Sequence, residues 1–346
     1  MKITANQLTI LRIALLPIPY FLLYGGTASK MIALAAFAIL GLTDYLDGLM
    51  ARRDGVTKLG KLLDPIADKI FIAVVLLPIV DMGILPLWVI FPVFLREFLV
   101  TELRNSLSAV NQELKVTEIA KIKTTIQMTG AGLILMTHTF PDKTVSAAFL
   151  AGALLATIVL GIGLYWKNIV ISQRMKWAAG LLSLALAVLV LFKTDQVILI
   201  YGLIMALITL VSGWNYVIKG VPASIKQGPL ALSRAILALL FPSVTLAFLG
   251  LDKGITPYLI IIISLEFATQ GLDIWVKQTR EKDFSWMKSL VIFPLAILVF
   301  FIIFLTKDLL PAVDAFILFV FYLIILYTFS DLWLHRKFIK EILNTG

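Results

Sequence analysis

The sequence has no cysteine, only two histidines and little charge: 30 Lys and Arg and 21 Asp and Glu in 346 residues, or 15%. Without cysteine, a disulfide framework and a thiolate metal site are both excluded. The scarcity of charge excludes more. Soluble domains carry about 25% charged and about 45–50% apolar residues, whereas this chain is 60% hydrophobic with a mean hydropathy of +0.98. So few charged side chains cannot face a core of that size toward water. A soluble enzyme, a nucleic-acid-binding domain and a disordered chain are therefore excluded, and an all-α polytopic membrane protein is expected. A cleavable signal is also lacking, because Lys2 is the only charge before Arg12 and the apolar run there continues as an ordinary span. The polar–apolar alternation of barrel strands is missing too, which leaves helices to satisfy the backbone in lipid.

Long apolar runs are what the chain has in abundance. A bilayer core needs about 20 apolar residues per helix, and twelve such runs lie near 8–25, 31–51, 66–82, 85–104, 120–138, 144–165, 176–193, 197–218, 230–250, 256–276, 287–305 and 311–334. Short cytoplasmic loops collect Lys and Arg. With the N-terminus inside, 24 of the 30 basic residues fall in inside segments, one each in five outside loops, and Arg96 within a span. This alternation predicts twelve spans in a cytoplasmic (inner) membrane with both termini in the cytoplasm. The positive charge then serves topology and contact with anionic membrane lipids, and no nucleic acid partner is expected.

Ionisable residues in or beside a span are costly and mark function. One cluster stands apart: DYLDGLMARRDGVTKLGKLLDPIADK, from Asp44, places Asp44, Asp47, Asp64 and Asp68 at the cytoplasmic ends of spans two and three. The first pair is spaced i,i+3 and the second i,i+4, so each shares a helical face. Four neighbouring carboxylates stay ionised only if cations join them, and hard oxygen ligands suit one or two Mg²⁺ or Mn²⁺ ions. Gly48 and Ala51 leave room for a ligand to approach the helix, and Arg52 and Arg53 can fork hydrogen bonds to phosphate. Asp64 before Pro65 reads as a helix N-cap with proline at the first helical position, which would aim a helix N-terminus at an anion.

These residues resemble the signature of the CDP-alcohol phosphatidyltransferases, D-x-x-D-G-x-x-A-R, a spacer, then G-x-x-x-D-x-x-x-D. It is filled here by Asp44, Asp47, Gly48, Ala51, Arg52, Gly60, Asp64 and Asp68. Seven residues separate Arg52 from Gly60, one short of the usual spacing. The resemblance implies a metal-dependent exchange in which an alcohol attacks the lipid-side phosphorus of a CDP-linked lipid and CMP leaves. It implies Asp44, Asp47, Asp64 and Asp68 as metal ligands, and Asp68 also as the catalytic base on the incoming hydroxyl. Asp44, Gly48, Ala51, Arg52 and Gly60 would hold the nucleotide.

The stretches REFLVTELR and KIKTTIQM and the opening NQLTILR resemble the corresponding segments of the phosphatidylglycerophosphate synthases. That likeness implies CDP-diacylglycerol and sn-glycerol 3-phosphate as substrates. The acceptor's phosphate needs cations, for which Arg96, Arg104 and Lys123 are the candidates. Each has a plainer reading: Arg104 and Lys123 obey the charge rule for inside loops, and Arg96 can pair with Glu97. Inositol phosphate, serine or phosphatidylglycerol would be alternative acceptors for the same chemistry. A twelve-span secondary transporter fits the span number, but transporters bind near the midplane in both halves, whereas this acidic cluster sits at one face in one half.

Six spans suffice for such an enzyme, and the chain has twice that. Residues 1–220 are read as the catalytic domain with a two-helix insertion at 144–193, and 221–346 as an additional four-helix membrane domain; the alternative division makes 144–165 the sixth catalytic span and everything after Lys167 the addition. SRAILALLFP at 233–242 is similar to LRIALLP at 11–17, and the same shift sets Glu266 against Asp44. The rest of the signature is absent there, so no second active site is expected, and the likeness reads either as a degenerate repeat or as the chance similarity of two Leu/Ala/Ile-rich helices. A second copy of the chain, as a homodimer, is a candidate partner.

Overall fold

Thr4 opens the first helix with a capping box: its hydroxyl accepts the Gln7 amide at 3.3 Å, and the Gln7 side chain accepts the Thr4 amide at 3.0 Å. The structure, a computed structural model, describes residues 4–54, 57–110, 112, 118–166, 173–251 and 255–278. Among the described residues there are eleven α-helices and no strand. They are α1 (Ala5–Leu15), α2 (Pro17–Leu23), α3 (Thr27–Asp54), α4 (Lys58–Asp81), α5 (Leu87–Ala109), α6 (Glu118–Thr139), α7 (Lys143–Trp166), α8 (Gln173–Leu191), α9 (Thr194–Gln227), α10 (Pro229–Leu251) and α11 (Thr256–Gln278).

Each of the first ten expected spans falls on a helix, or for the first on the α1–α2 pair. Those at 287–305 and 311–334 lie outside the described residues. Two boundaries differ from expectation. Pro17 has no amide to continue α1, so the first span is split at Leu16. The eighth run, expected to end at 218, continues to Gln227 as a 34-residue helix. Hydropathy falls at Lys219, but a helix need not stop where lipid does. It ends at Gly228, whose φ of 102° breaks the helical path, and Pro229 starts α10 at once.

By length and composition, Ala5–Leu23, Lys143–Trp166, Thr194–Gln227 and Pro229–Ala247 are each apolar enough to cross a membrane. The helices α4 and α5, of 24 and 23 residues, are as long but carry ionisable side chains within them. At 1.5 Å per residue each reaches about 35 Å, enough for a hydrocarbon core of about 30 Å.

The helices pack where small residues let them. On α9, a Cβ at Gly202 would meet Leu85 and Val89, one at Gly213 would meet Arg96 and Val100, and one at Gly220 would stand 2.7 Å from Leu103 Cβ. Positions rise together on both helices, so α5 and α9 run parallel. On α11, Gly271 lies against Ile66 and Leu62 of α4, while Phe267 lies at Lys69, so α11 and α4 run antiparallel. Alternate crossing requires both directions, because spans four and eight share a sense and spans three and ten do not. The segment 229–278, expected from the sequence to form an additional domain, thus lies directly on earlier helices, α10 on α5 and α11 on α4. The α7–α8 hairpin is peripheral, joined through α8 to α6, with Phe149, Leu155, Val159 and Tyr165 of α7 facing outward.

Candidate active site

A polar seam joins α1 to the start of α4. Thr57 caps α4 by accepting the Gly60 amide at 3.0 Å and donates its own hydroxyl to Asn6 Oδ1 at 2.9 Å. A Cβ on Gly60 would come within 2.9 Å of that same Asn6 oxygen, so the signature glycine is also where α1 approaches most closely. Farther along, Thr9 Oγ1 donates to Asp64 Oδ1 at 3.3 Å. Arg12 Nη1 then lies 3.5 Å from Asp68 Oδ1, with the Arg12 side chain fully buried. Asn6, Thr9 and Arg12 advance with Gly60, Asp64 and Asp68, which makes α1 and α4 parallel, as spans one and three must be. One expectation is corrected here. Asp64 does not cap a helix: α4 begins at Lys58, and Pro65 lies inside it. Thr57 already supplies a capping hydroxyl about two turns earlier, so no helix N-terminus points at an anion from Asp64.

A second cluster surrounds Glu97 in the middle of α5. Its Oε1 receives Lys123 Nζ at 2.5 Å, Arg96 Nη1 at 3.2 Å and Gln127 Nε2 at 3.2 Å. Gln127 also donates to Thr209 Oγ1 on α9 at 3.2 Å. Glu97 is 4% exposed, Arg96 7% and Gln127 1%. Such a group is tolerable in a spanning helix because each charge meets an opposite one. Arg96 Nε is nevertheless buried without a hydrogen-bond partner among the described residues, beside the gap that Gly213 leaves. The carboxylate of Asp68 lies within electrostatic reach of Lys123, which connects the two clusters.

Of the three expected acceptor cations, Arg96 and Lys123 converge on Glu97 and Arg104 does not. Arg104, two turns farther along α5 and exposed, donates from Nη2 to Tyr216 Oη at 3.3 Å and lies 5.2 Å from that ring's centroid. Asp44, Asp47, Gly48, Ala51 and Arg52 lie on the helical backbone of α3, and their side chains are outside the described residues. Among the described residues no three His, Cys, Asp or Glu side chains converge as a metal site; Asp64 and Asp68, one turn apart and half-buried on α4, are the described members of the expected set.

Comparison with known proteins decides the family. The family model for CDP-alcohol phosphatidyltransferase matches residues 2–160. The "CDP-diacylglycerol--glycerol-3-phosphate 3-phosphatidyltransferase" of Bacillus subtilis is 34% identical over 181 residues, covering 47% of this chain and 93% of the relative. The chain belongs to the CDP-alcohol phosphatidyltransferase family. A "Probable phosphatidylglycerophosphate synthase" of Mycobacterium tuberculosis is 36% identical over 166 residues, 46% of this chain and 78% of the relative. A Rickettsia bellii protein named like the Bacillus one is 35% identical over 136 residues, 38% of this chain and 74% of the relative. No solved structure matches. The protein is accordingly a membrane transferase of phospholipid synthesis. The family match ends inside α7 and leaves α8 to α11 beyond it.

Several residues of the candidate site do not stand out in the sequence. Glu97 reads there only as a partner for Arg96, yet three side chains meet on it. Asn6 and Thr9, which reach α4, stand in the same NQLTILR stretch as Arg12. Lys69 follows Asp68 directly and donates to Thr101 Oγ1 at 2.6 Å, and Thr101 donates to the Glu97 carbonyl at 2.6 Å. The available signal was spacing: Lys123 and Gln127, like Glu97 and Thr101, are i,i+4 pairs of polar residues inside apolar helices.

Proposed function

We propose that the protein transfers the phosphatidyl group of CDP-diacylglycerol to sn-glycerol 3-phosphate, giving phosphatidylglycerophosphate and CMP. The observation that carries this reading is the adjacency of two chemistries: half-buried carboxylates on α4 beside a buried cationic cluster on α5 and α6. The first suits a metal-bound diphosphate and the second an acceptor that brings its own phosphate. The names of the Bacillus and Mycobacterium relatives support the same substrates.

Asp64 and Asp68 fit a hard divalent cation, being oxygen donors one turn apart, and with Asp44 and Asp47 they would hold one or two Mg²⁺ or Mn²⁺ ions. Such ions supply charge neutralisation on the diphosphate and on the departing CMP. Gly48, Ala51, Arg52 and Gly60 hold the cytidine nucleotide. Arg96 and Lys123 bind the acceptor's phosphate, and Arg104 extends the positive field toward the end of α5. Arg12 orients Asp68, which takes the proton of the acceptor hydroxyl. The hydroxyl oxygen then bonds to the lipid-side phosphorus as the bond to CMP breaks. Residues 1–220 form the catalytic domain, with the 144–193 hairpin inserted and 221–346 an additional membrane domain. Twelve spans place both termini and the site at the cytoplasmic face of the inner membrane.

The test is mass spectrometry of products from purified protein, CDP-diacylglycerol and a panel of alcohols. Phosphatidylglycerophosphate forming with glycerol 3-phosphate alone is the expected result, abolished by EDTA and recovered with Mg²⁺ or Mn²⁺. A product from serine, inositol phosphate or phosphatidylglycerol instead would reassign the acceptor, and no lipid product from any alcohol would overturn the reading.

A further inference from the structure

The family match stops at residue 160, yet a cation next to Asp68 is held from far beyond it. Lys69 Nζ stands 5.0 Å from the ring centroid of Phe267, on α11. Phe267 is 1% exposed and stacks on Phe98 with centroids 4.2 Å and planes 14° apart. Phe98, the neighbour of Glu97, meets Phe241 of α10 edge-on at 5.2 Å. Three rings from α10, α5 and α11 therefore form a row that ends at the Lys69 ammonium. A lysine head on its four-carbon stem is mobile unless held; an aromatic face within about 6 Å attracts it, and Thr101 engages one of its three donors. The charges acting on Lys69 include those of Glu97, Lys123 and Arg96, the cluster proposed to receive the acceptor.

We infer that Phe267 is a positioning residue for the acceptor phosphate: its ring holds the Lys69 ammonium beside Arg96 and Lys123, so that three cations rather than two meet the phosphate. The additional helices thereby form part of the acceptor site. This inference rests on the reaction proposed above.

Steady-state kinetics of the full-length protein test it. Phe267→Leu fills the space without a ring and raises KM for glycerol 3-phosphate roughly three- to tenfold, leaving kcat and KM for CDP-diacylglycerol near wild type. Phe267→Tyr, which keeps the ring, restores the wild-type KM. Lys69→Gln in an otherwise unaltered chain raises KM for glycerol 3-phosphate at least as much, and Phe267→Leu adds nothing to it. The Lys69→Gln measurement stands even if the Phe267 variants fail to fold, and an unchanged KM there overturns the inference. So does a Phe267→Leu variant in which both KM values move alike or kcat alone falls, because the ring then only packs. Wild-type turnover with an unphosphorylated alcohol alone overturns the acceptor reading, and the inference with it. Wild-type turnover with glycerol 3-phosphate and an unshifted KM in Phe267→Leu overturns the inference alone.

Discussion

Two carboxylates stand in opposite settings in this protein. Asp68 is half-buried at the edge of the seam with α1, where the proposed reaction uses it as the base, whereas the Glu97 oxygen is occupied by Arg96, Lys123 and Gln127. Asp68→Asn keeps the shape and the contact with Arg12 but cannot accept a proton, so CMP release should fall by at least about a hundredfold while helical content by circular dichroism is unchanged. Turnover close to wild type would place the base elsewhere. Glu97→Gln removes the charge that two buried cations share, a loss of about 1–3 kcal/mol. It should appear as a lower unfolding temperature in detergent together with a higher KM for glycerol 3-phosphate. Sequence spacing alone put Asp64 and Asp68 on one face. It could not find the role of Glu97, because that role depends on α6 and α9 arriving from 26 and more than 100 residues away. Arg104 shows the converse: the REFLVTELR stretch groups it with Arg96 as a cation for the acceptor, and two turns of α5 set it beside Tyr216, away from Glu97.

At the scale of the helix, hydropathy located the elements well and their ends poorly. The N-cap reading at Asp64-Pro65 applied a sound local rule, but Thr57 supplies the cap earlier, and the contact with Asn6 fixes it there. Likewise α9 outruns its apolar run, because even Pro222 leaves the helix intact and Gly228 ends it. The glycines of α9 were visible as letters, but their meaning required α5: each marks where a side chain or backbone of α5 comes near. Gly220→Leu would drive a side chain into Leu103, whose Cβ is already 2.7 Å from the modest Cβ of any residue there. Overpacking of this kind costs about 1–3 kcal/mol, and a thermal unfolding series of Gly220→Ala, Val and Leu should fall in step with side-chain volume. A flat series would mean that α9 simply shifts aside.

The whole molecule is where sequence and structure part most. The parallel and antiparallel senses of three helix pairs agree with alternate crossing of spans one, three, four, eight and ten, read from the sequence. What the surplus hydrophobic half does was not legible, since apolar residues at 229–278 look the same whether they face lipid or α4 and α5. A chain cut after Gln227 removes Phe241 and Phe267 and leaves Lys69 and Thr101 facing lipid. Its specific activity in washed membranes should drop at least about tenfold, more than the Phe267→Leu variant does, because polar groups lose their cover as well as their alignment. A truncated chain as active as the full one would make the additional helices dispensable. The order in which the pieces emerge has a further consequence. Arg104 and Tyr216 are 112 residues apart, and at about 5–20 residues per second the ribosome needs roughly 6–22 s to bridge them. For that interval α5 waits in the membrane without α9 against its Arg96 and Leu103 face, while the Glu97 cluster can draw only on α6. For those seconds the nascent enzyme presents polar groups to quality control that the finished molecule buries.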